Sequence, residues 1–145
     1  MTTCTKRFEG YPAAHRQPRH DGHCSLIHGH DWAFTVEFGA TSLDDNNFVF
    51  DFGKLQSVKG FFAENFDHTL VLNFDDPELE LFRALADKRL CKLVVVESAS
   101  AEGLAKLVFE EVTRIMASLT LGRVFVTKVI CHEDHKNSAT YTNGH

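Results

Sequence analysis

Residues 24–39 read Cys24-Ser-Leu-Ile-His28-Gly-His30-Asp-Trp32-Ala-Phe34-Thr-Val36-Glu-Phe38-Gly39. From Asp31 onward the apolar residues fall on every second position, with Trp32, Phe34, Val36 and Phe38 on one face and Ala33, Thr35 and Glu37 on the other. A period of two is the mark of a half-buried strand. If the strand starts as early as His28, both histidines project on one side of it. Two imidazoles on one face, with Gly29 between them admitting a close approach, make half of a metal site. His15, in Ala13-Ala14-His15-Arg16 of a preceding strand, supplies a third nitrogen. Three imidazoles and an open position are the pattern of catalytic zinc.

Outward from this strand, Asn47–Phe52 reads as its hairpin partner across the turn-forming segment 42–47. Asp51 caps a helix with an apolar stripe of Leu55, Val58, Phe62 and Phe66. A short helix is expected over about residues 76–86 with Pro77 in its first turn, and Cys91–Val96 is a β-branched strand. Ser98 or Ser100 caps a long helix striped by Leu104, Val108, Val112, Ile115 and Leu119 and stopped by Gly122. Residues 123–133 return to strand character, and a last short strand surrounds Tyr141. Hairpin-linked strands at both ends argue for an α+β domain, a largely antiparallel sheet with helices packed on one face. Its free strand edges need cover, and oligomerisation is one way to provide it.

Length and composition agree with a single domain over residues 1–145, with 43% hydrophobic and 24% charged residues. The net charge of -5, with no basic run, argues against a nucleic-acid surface. No apolar stretch reaches the roughly 20 residues of a membrane span, and Met1–Phe8 lacks the apolar centre of a secretory signal. Four cysteines without paired spacing (Cys4, Cys24, Cys91, Cys131) read as reduced thiols, so a cytoplasmic setting is expected.

Around the histidines, Cys24 admits three readings. It is a fourth ligand that closes the site, an inert buried thiol, or a thiolate activated by nearby positive charge. His20 and His23 lie in a polar loop and read as solvent-exposed. Asp67-His68 pairs a carboxylate with an imidazole. Glu133 shares alternation with Phe125, Val129 and Cys131, which puts a carboxylate at the buried end of a strand. Such a group needs a partner, either a salt bridge or the N–H edge of a heterocycle.

Six ordered features together carry a resemblance: Ala-Ala-His15-Arg, Cys24-xxx-His28-Gly-His30, Asp51-Phe52, Asp67-His68 with Leu72-Asn73, Ser100-Ala-Glu102, and Glu133 followed by Tyr141. In this order they resemble the family of 6-pyruvoyl- and 6-carboxytetrahydropterin synthases. The resemblance implies a T-fold (tunnelling fold) whose sheet joins those of neighbouring subunits into a barrel, in a homo-oligomer such as a hexamer built as a dimer of trimers. It implies Zn2+ on His15, His28 and His30, catalysis by Cys24 with Asp67 and His68, and substrate binding by Glu133 and Ser100. Sites of this kind act on 7,8-dihydroneopterin triphosphate, a small-molecule pterin. The Cys-x3-His-Gly-His spacing resembles the 6-carboxytetrahydropterin synthases of queuosine and deazapurine biosynthesis rather than the animal pyruvoyl enzymes. Other readings are the pyruvoyl reaction or a non-catalytic pterin-binding module with structural zinc. Two positions depart from the family pattern: Ala99 stands where a proline is usual, and Gln56 where a lysine is. Arg16, Lys54 and Lys59 are the cations nearest these motifs.

Overall fold

The computed structural model describes residues 1–144. The elements run β1 (Thr2–His15), β2 (His28–Ala40), α1 (Gln56–Phe66), β3 (Thr69–Asn73), α2 (Leu79–Asp87), β4 (Leu93–Val96), α3 (Ala101–Thr120), β5 (Val124–His132) and β6 (Ser138–Thr142). They form one α+β unit with a six-stranded sheet in the order β4-β3-β1-β2-β5-β6. The pairings β1–β2, β2–β5 and β5–β6 are antiparallel, whereas β1–β3 and β3–β4 are parallel, so the sheet is mixed.

The alternation in β2 is as expected: Trp32, Phe34, Val36 and Phe38 are all at most 1% exposed. They face Val58, Phe62 and Phe66 of α1 and Leu104, Val108 and Val112 of α3 in one continuous core. In β1 the register slips by one residue between Phe8 and Tyr11, where Gly10 adopts a left-handed φ of 86°. The slip reverses the alternation, so that Phe8 and Tyr11 both stack on Phe62. It also brings Ala13 and His15 onto the core face. On the side of β3 opposite Val71, Leu70 and Leu72 pack with Phe82 of α2 in a smaller cluster.

Several local expectations are corrected. Asn47–Phe52 is not a strand; β2 pairs with β1 and β5 instead. Asp44 Oδ1 accepts from the backbone N–H groups of Asn46 and Phe48, and the Arg123 guanidinium donates to the carbonyls of Ser42 and Val49. These bonds hold the segment as an irregular loop. Asp51 caps a single 3-10 turn, Phe52–Lys54, rather than α1 itself. Strand β3 was not expected, α2 starts two residues past Pro77, and β4 is confined to Leu93–Val96. Ser100, not Ser98, caps α3 by accepting from Gly103 N–H at 3.0 Å. A Cβ on Gly103 would meet Ser98 at 2.5 Å, so this turn requires glycine there. No helix among the described residues is long and apolar enough to cross a membrane.

Candidate metal centre

The core stripe of β2 runs on past Trp32 into His30 and His28, where its chemistry changes from apolar to imidazole. The antiparallel ladder sets His15 directly opposite His28 and Ala13 opposite His30. Ring centroids are 4.5 Å apart for His15–His28, 5.2 Å for His15–His30 and 5.1 Å for His28–His30. Trp32 packs edge-on against His15 and His30, and its Nε1–H donates to the Ala13 carbonyl. The three expected ligands therefore converge.

Hydrogen bonds set which ring nitrogens face the centre. His15 Nδ1–H donates to Ala99 O at 2.7 Å, and His28 Nδ1–H donates to Leu26 O at 2.7 Å. A carbonyl can only accept, so each ring carries its proton on Nδ1 and offers the Nε2 lone pair. Behind His15, Asn73 Oδ1 accepts from Ala99 N–H at 2.7 Å. The last residue of β3 thus fixes the carbonyl that fixes the His15 ring. Burial pushes the His15 imidazole below its ordinary pKa and so favours the neutral form, while the bond to Ala99 opposes that shift.

Glu133 is the fourth member of the cluster. Its Oε1 lies 3.0 Å from His30 Nε2 and 3.6 Å from His15 Nε2. Neither contact has hydrogen-bond geometry, and both Nε2 atoms are buried without a partner among the described residues. Unpartnered ring nitrogens beside a carboxylate, with one possible ligand atom from each of the four residues lying within 4.8 Å of the others, suit a divalent cation. The alternation that pointed to Glu133 holds only from Val129 onward. The β2–β5 register shifts between Glu37 and Phe38, so Phe125 falls on the opposite side of the bulge.

Cys24 is exposed in a 3-10 turn, His23–Ser25, which removes the inert buried thiol from its readings. The cysteine that is buried, Cys131, has its thiol pushed up by desolvation and is inert. The turn carrying Cys24 is cinched at its neck. Gln17 N–H donates to Cys24 O at 2.7 Å and Arg16 Nη1–H to Ser25 O at 3.2 Å. Arg16 also grips Asp76 through two bonds of 2.6 and 2.8 Å and lies over the Phe82 ring. That guanidinium holds the Asp76 carboxyl below its usual range, and it is committed to structure rather than left free for an anion.

A cavity of about 360 Å³ opens onto the cluster, and His15, Gln17, Cys24, His28, Ser100 and Glu133 are among its lining residues. Ser100 reaches it from the start of α3. His20 and His23 are exposed, as expected. Asp67 and His68 meet through His68 Nδ1 and Asp67 Oδ1 at 2.6 Å, but the His68 side chain is 83% exposed and lines neither this cavity nor its neighbour. His68 also has a left-handed φ of 58°, uncommon for a residue with a side chain. A Cβ at Gly29 would meet Ala13 O at an ordinary 3.6 Å, so no close approach within the chain demands that glycine. A larger cavity, about 800 Å³ between α1, β4 and α3, contains none of these groups. Gln17, Asn137 and Ser138 also line the cavity and lie outside the sequence motifs.

The family model described as 6-pyruvoyl tetrahydropterin synthase matches residues 3–144. A 6-carboxy-5,6,7,8-tetrahydropterin synthase of Rickettsia felis is 39% identical over 80 residues, 54% of this chain and 57% of that protein, so the match spans little more than half the relative's length. One from Aquifex aeolicus is 29% identical over 121 residues, 81% of this chain and 75% of that protein. Among solved structures, an uncharacterized protein from Wolinella succinogenes superposes with a TM-score of 0.84 at 22% identity, covering 99% of this chain and 98% of its own.

Proposed function

Since the chain belongs to the 6-pyruvoyl tetrahydropterin synthase family and has its T-fold, we propose that it is a zinc-dependent carbon–carbon lyase. Its substrate in this reading is 7,8-dihydroneopterin triphosphate. The products are 6-carboxy-5,6,7,8-tetrahydropterin, acetaldehyde and triphosphate, on the cytoplasmic route to queuosine and related deazapurines. The observation that carries the reading is the convergence of His15, His28 and His30, two of them with buried unpartnered Nε2 atoms, on a cavity shared with Cys24 and Glu133. The names of the relatives and the Cys-x3-His spacing favour the carboxy product over the pyruvoyl one.

His15, His28 and His30 hold the zinc, which when bound supplies Lewis-acid polarisation of the substrate's side-chain hydroxyls. Glu133 accepts from the N–H edge of the heterocycle, which draws its carboxylate away from His30. Cys24, as thiolate, moves the proton at the carbon beside the ring. Ser100 lines the path from the start of α3. His68, oriented by Asp67, supplies the second acid/base group needed as a hydroxyl loses its proton and the carbon–carbon bond breaks. Because that pair lies outside its own chain's cavity, it serves a neighbouring subunit's Cys24 in a homo-hexamer built as a dimer of trimers.

Mass analysis of the products formed from dihydroneopterin triphosphate tests this reading. A carboxytetrahydropterin with acetaldehyde supports it. A pyruvoyl product moves the protein to the alternative synthase reaction, and a tight, unchanged pterin moves it to a binding module. Cys24→Ala should keep its zinc and lose about 10²–10⁴ in turnover. Loss of zinc as well would make Cys24 a structural ligand.

A further inference from the structure

The Gln17 carboxamide lines the metal-centre cavity, yet its Nε2 is buried with no hydrogen-bond partner among the described residues. A buried amide donor left unpaired is costly, and folded proteins rarely keep one without a use for it. The residue is not loosely placed. Its backbone N–H is bonded to Cys24 O at 2.7 Å, and Pro18 behind it restricts its backbone to extended conformations. Arg16 before it is pinned to Asp76. The chain therefore holds a preorganised, desolvated donor in the cavity that Cys24 and Glu133 also line.

We propose that Gln17 is a substrate-binding residue of this cavity, its Nε2–H donating to a ring acceptor of the bound heterocycle. The inference rests on the pterin reading above and adds a contact to it. Glu133 offers only acceptors and so takes the N–H edge of a ring. An amide donor in the same cavity matches the carbonyl oxygen or unprotonated ring nitrogen that a fused pyrimidinone also presents. Together the two groups would read donor and acceptor positions of one ring and fix its angle to Cys24.

The isosteric variant Gln17→Met separates this role from a structural one. Removing an unsatisfied buried amide should leave the thermal midpoint of the free protein unchanged or raised. Zinc content should be unchanged, while the Kd for neopterin, followed by its fluorescence, weakens about tenfold. Gln17→Glu, which keeps the shape and replaces the donor by an anionic acceptor in the cavity that Glu133 also lines, should weaken it further. A Gln17→Met protein that binds neopterin as well as the wild type overturns the inference alone. So does one whose midpoint falls, because the amide is then satisfied within the chain. A zinc-loaded wild type that binds no neopterin overturns the pterin reading, and the inference with it.

Discussion

Truncating Asn73 to alanine removes the oxygen that holds the Ala99 N–H at 2.7 Å, in a residue only 8% exposed. Two effects follow, and they are separable. The first is on folding: a buried N–H loses its acceptor, which costs about 1–3 kcal/mol. The second is on the metal centre. Ala99 also accepts from His15 Nδ1–H, so the turn that sets the ring's tautomer and angle is no longer fixed. Loss of such an outer partner typically costs about 10–100-fold in metal affinity. Urea unfolding of the metal-free protein reads the first effect, and zinc titration against a competing chelator reads the second. Leu72→Ala is the control. Leu72 is fully buried but faces Phe82, away from the histidines. It should cost about 2–5 kcal/mol and leave zinc affinity unchanged. If Asn73→Ala bound zinc as tightly as the wild type, the relay from β3 through Ala99 to His15 would be refuted.

Asp76→Asn leaves the Arg16 guanidinium largely buried without its counter-charge, the Asp76 side chain being fully enclosed; urea unfolding should show a loss of about 3–5 kcal/mol. Since Arg16 depresses the folded-state pKa of Asp76, its contribution is present above the unfolded value of about 3.9 and is lost as pH falls through the lower folded value. His15 acts at higher pH. Burial lowers its folded pKa, and that of His132, below the unfolded value of about 6.5, so the unfolded chain takes up the proton first. The metal-free protein should therefore lose stability as pH drops below about 6.5, with a lower urea midpoint at pH 5.5 than at pH 7.5. A flat profile across that interval would contradict the buried, neutral imidazole.

The histidine cluster was legible in part because period-two spacing survives folding: His28, His30 and Trp32 follow one another on a face whose apolar members are plain in the sequence. That His15 meets them was legible only as a guess about the strand before it. The bulge at Gly10, which turns His15 to the core face, has no pattern of its own. Strand β3 escaped notice because Thr-Leu-Val-Leu-Asn is buried on both faces and shows no alternation. The opposite error fell on Asn47–Phe52. Its alternating phenylalanines imitate a strand, yet Phe48 is 49% exposed and the backbone is held by Asp44 and Arg123. Glu133 was found from its alternation with Cys131, but its place against the imidazoles depends on where β5 ends. Gln17 carries no motif at all; its significance is an unpaired atom that only packing reveals.

X-ray absorption on the zinc-loaded, substrate-free protein addresses the metal centre most directly. Three imidazole nitrogens at about 2.0–2.1 Å, with only lighter oxygen or nitrogen donors besides, is the result expected with one ion per chain. A sulfur shell at about 2.3 Å would place Cys24 on the metal and contradict its proposed role as the reacting thiolate.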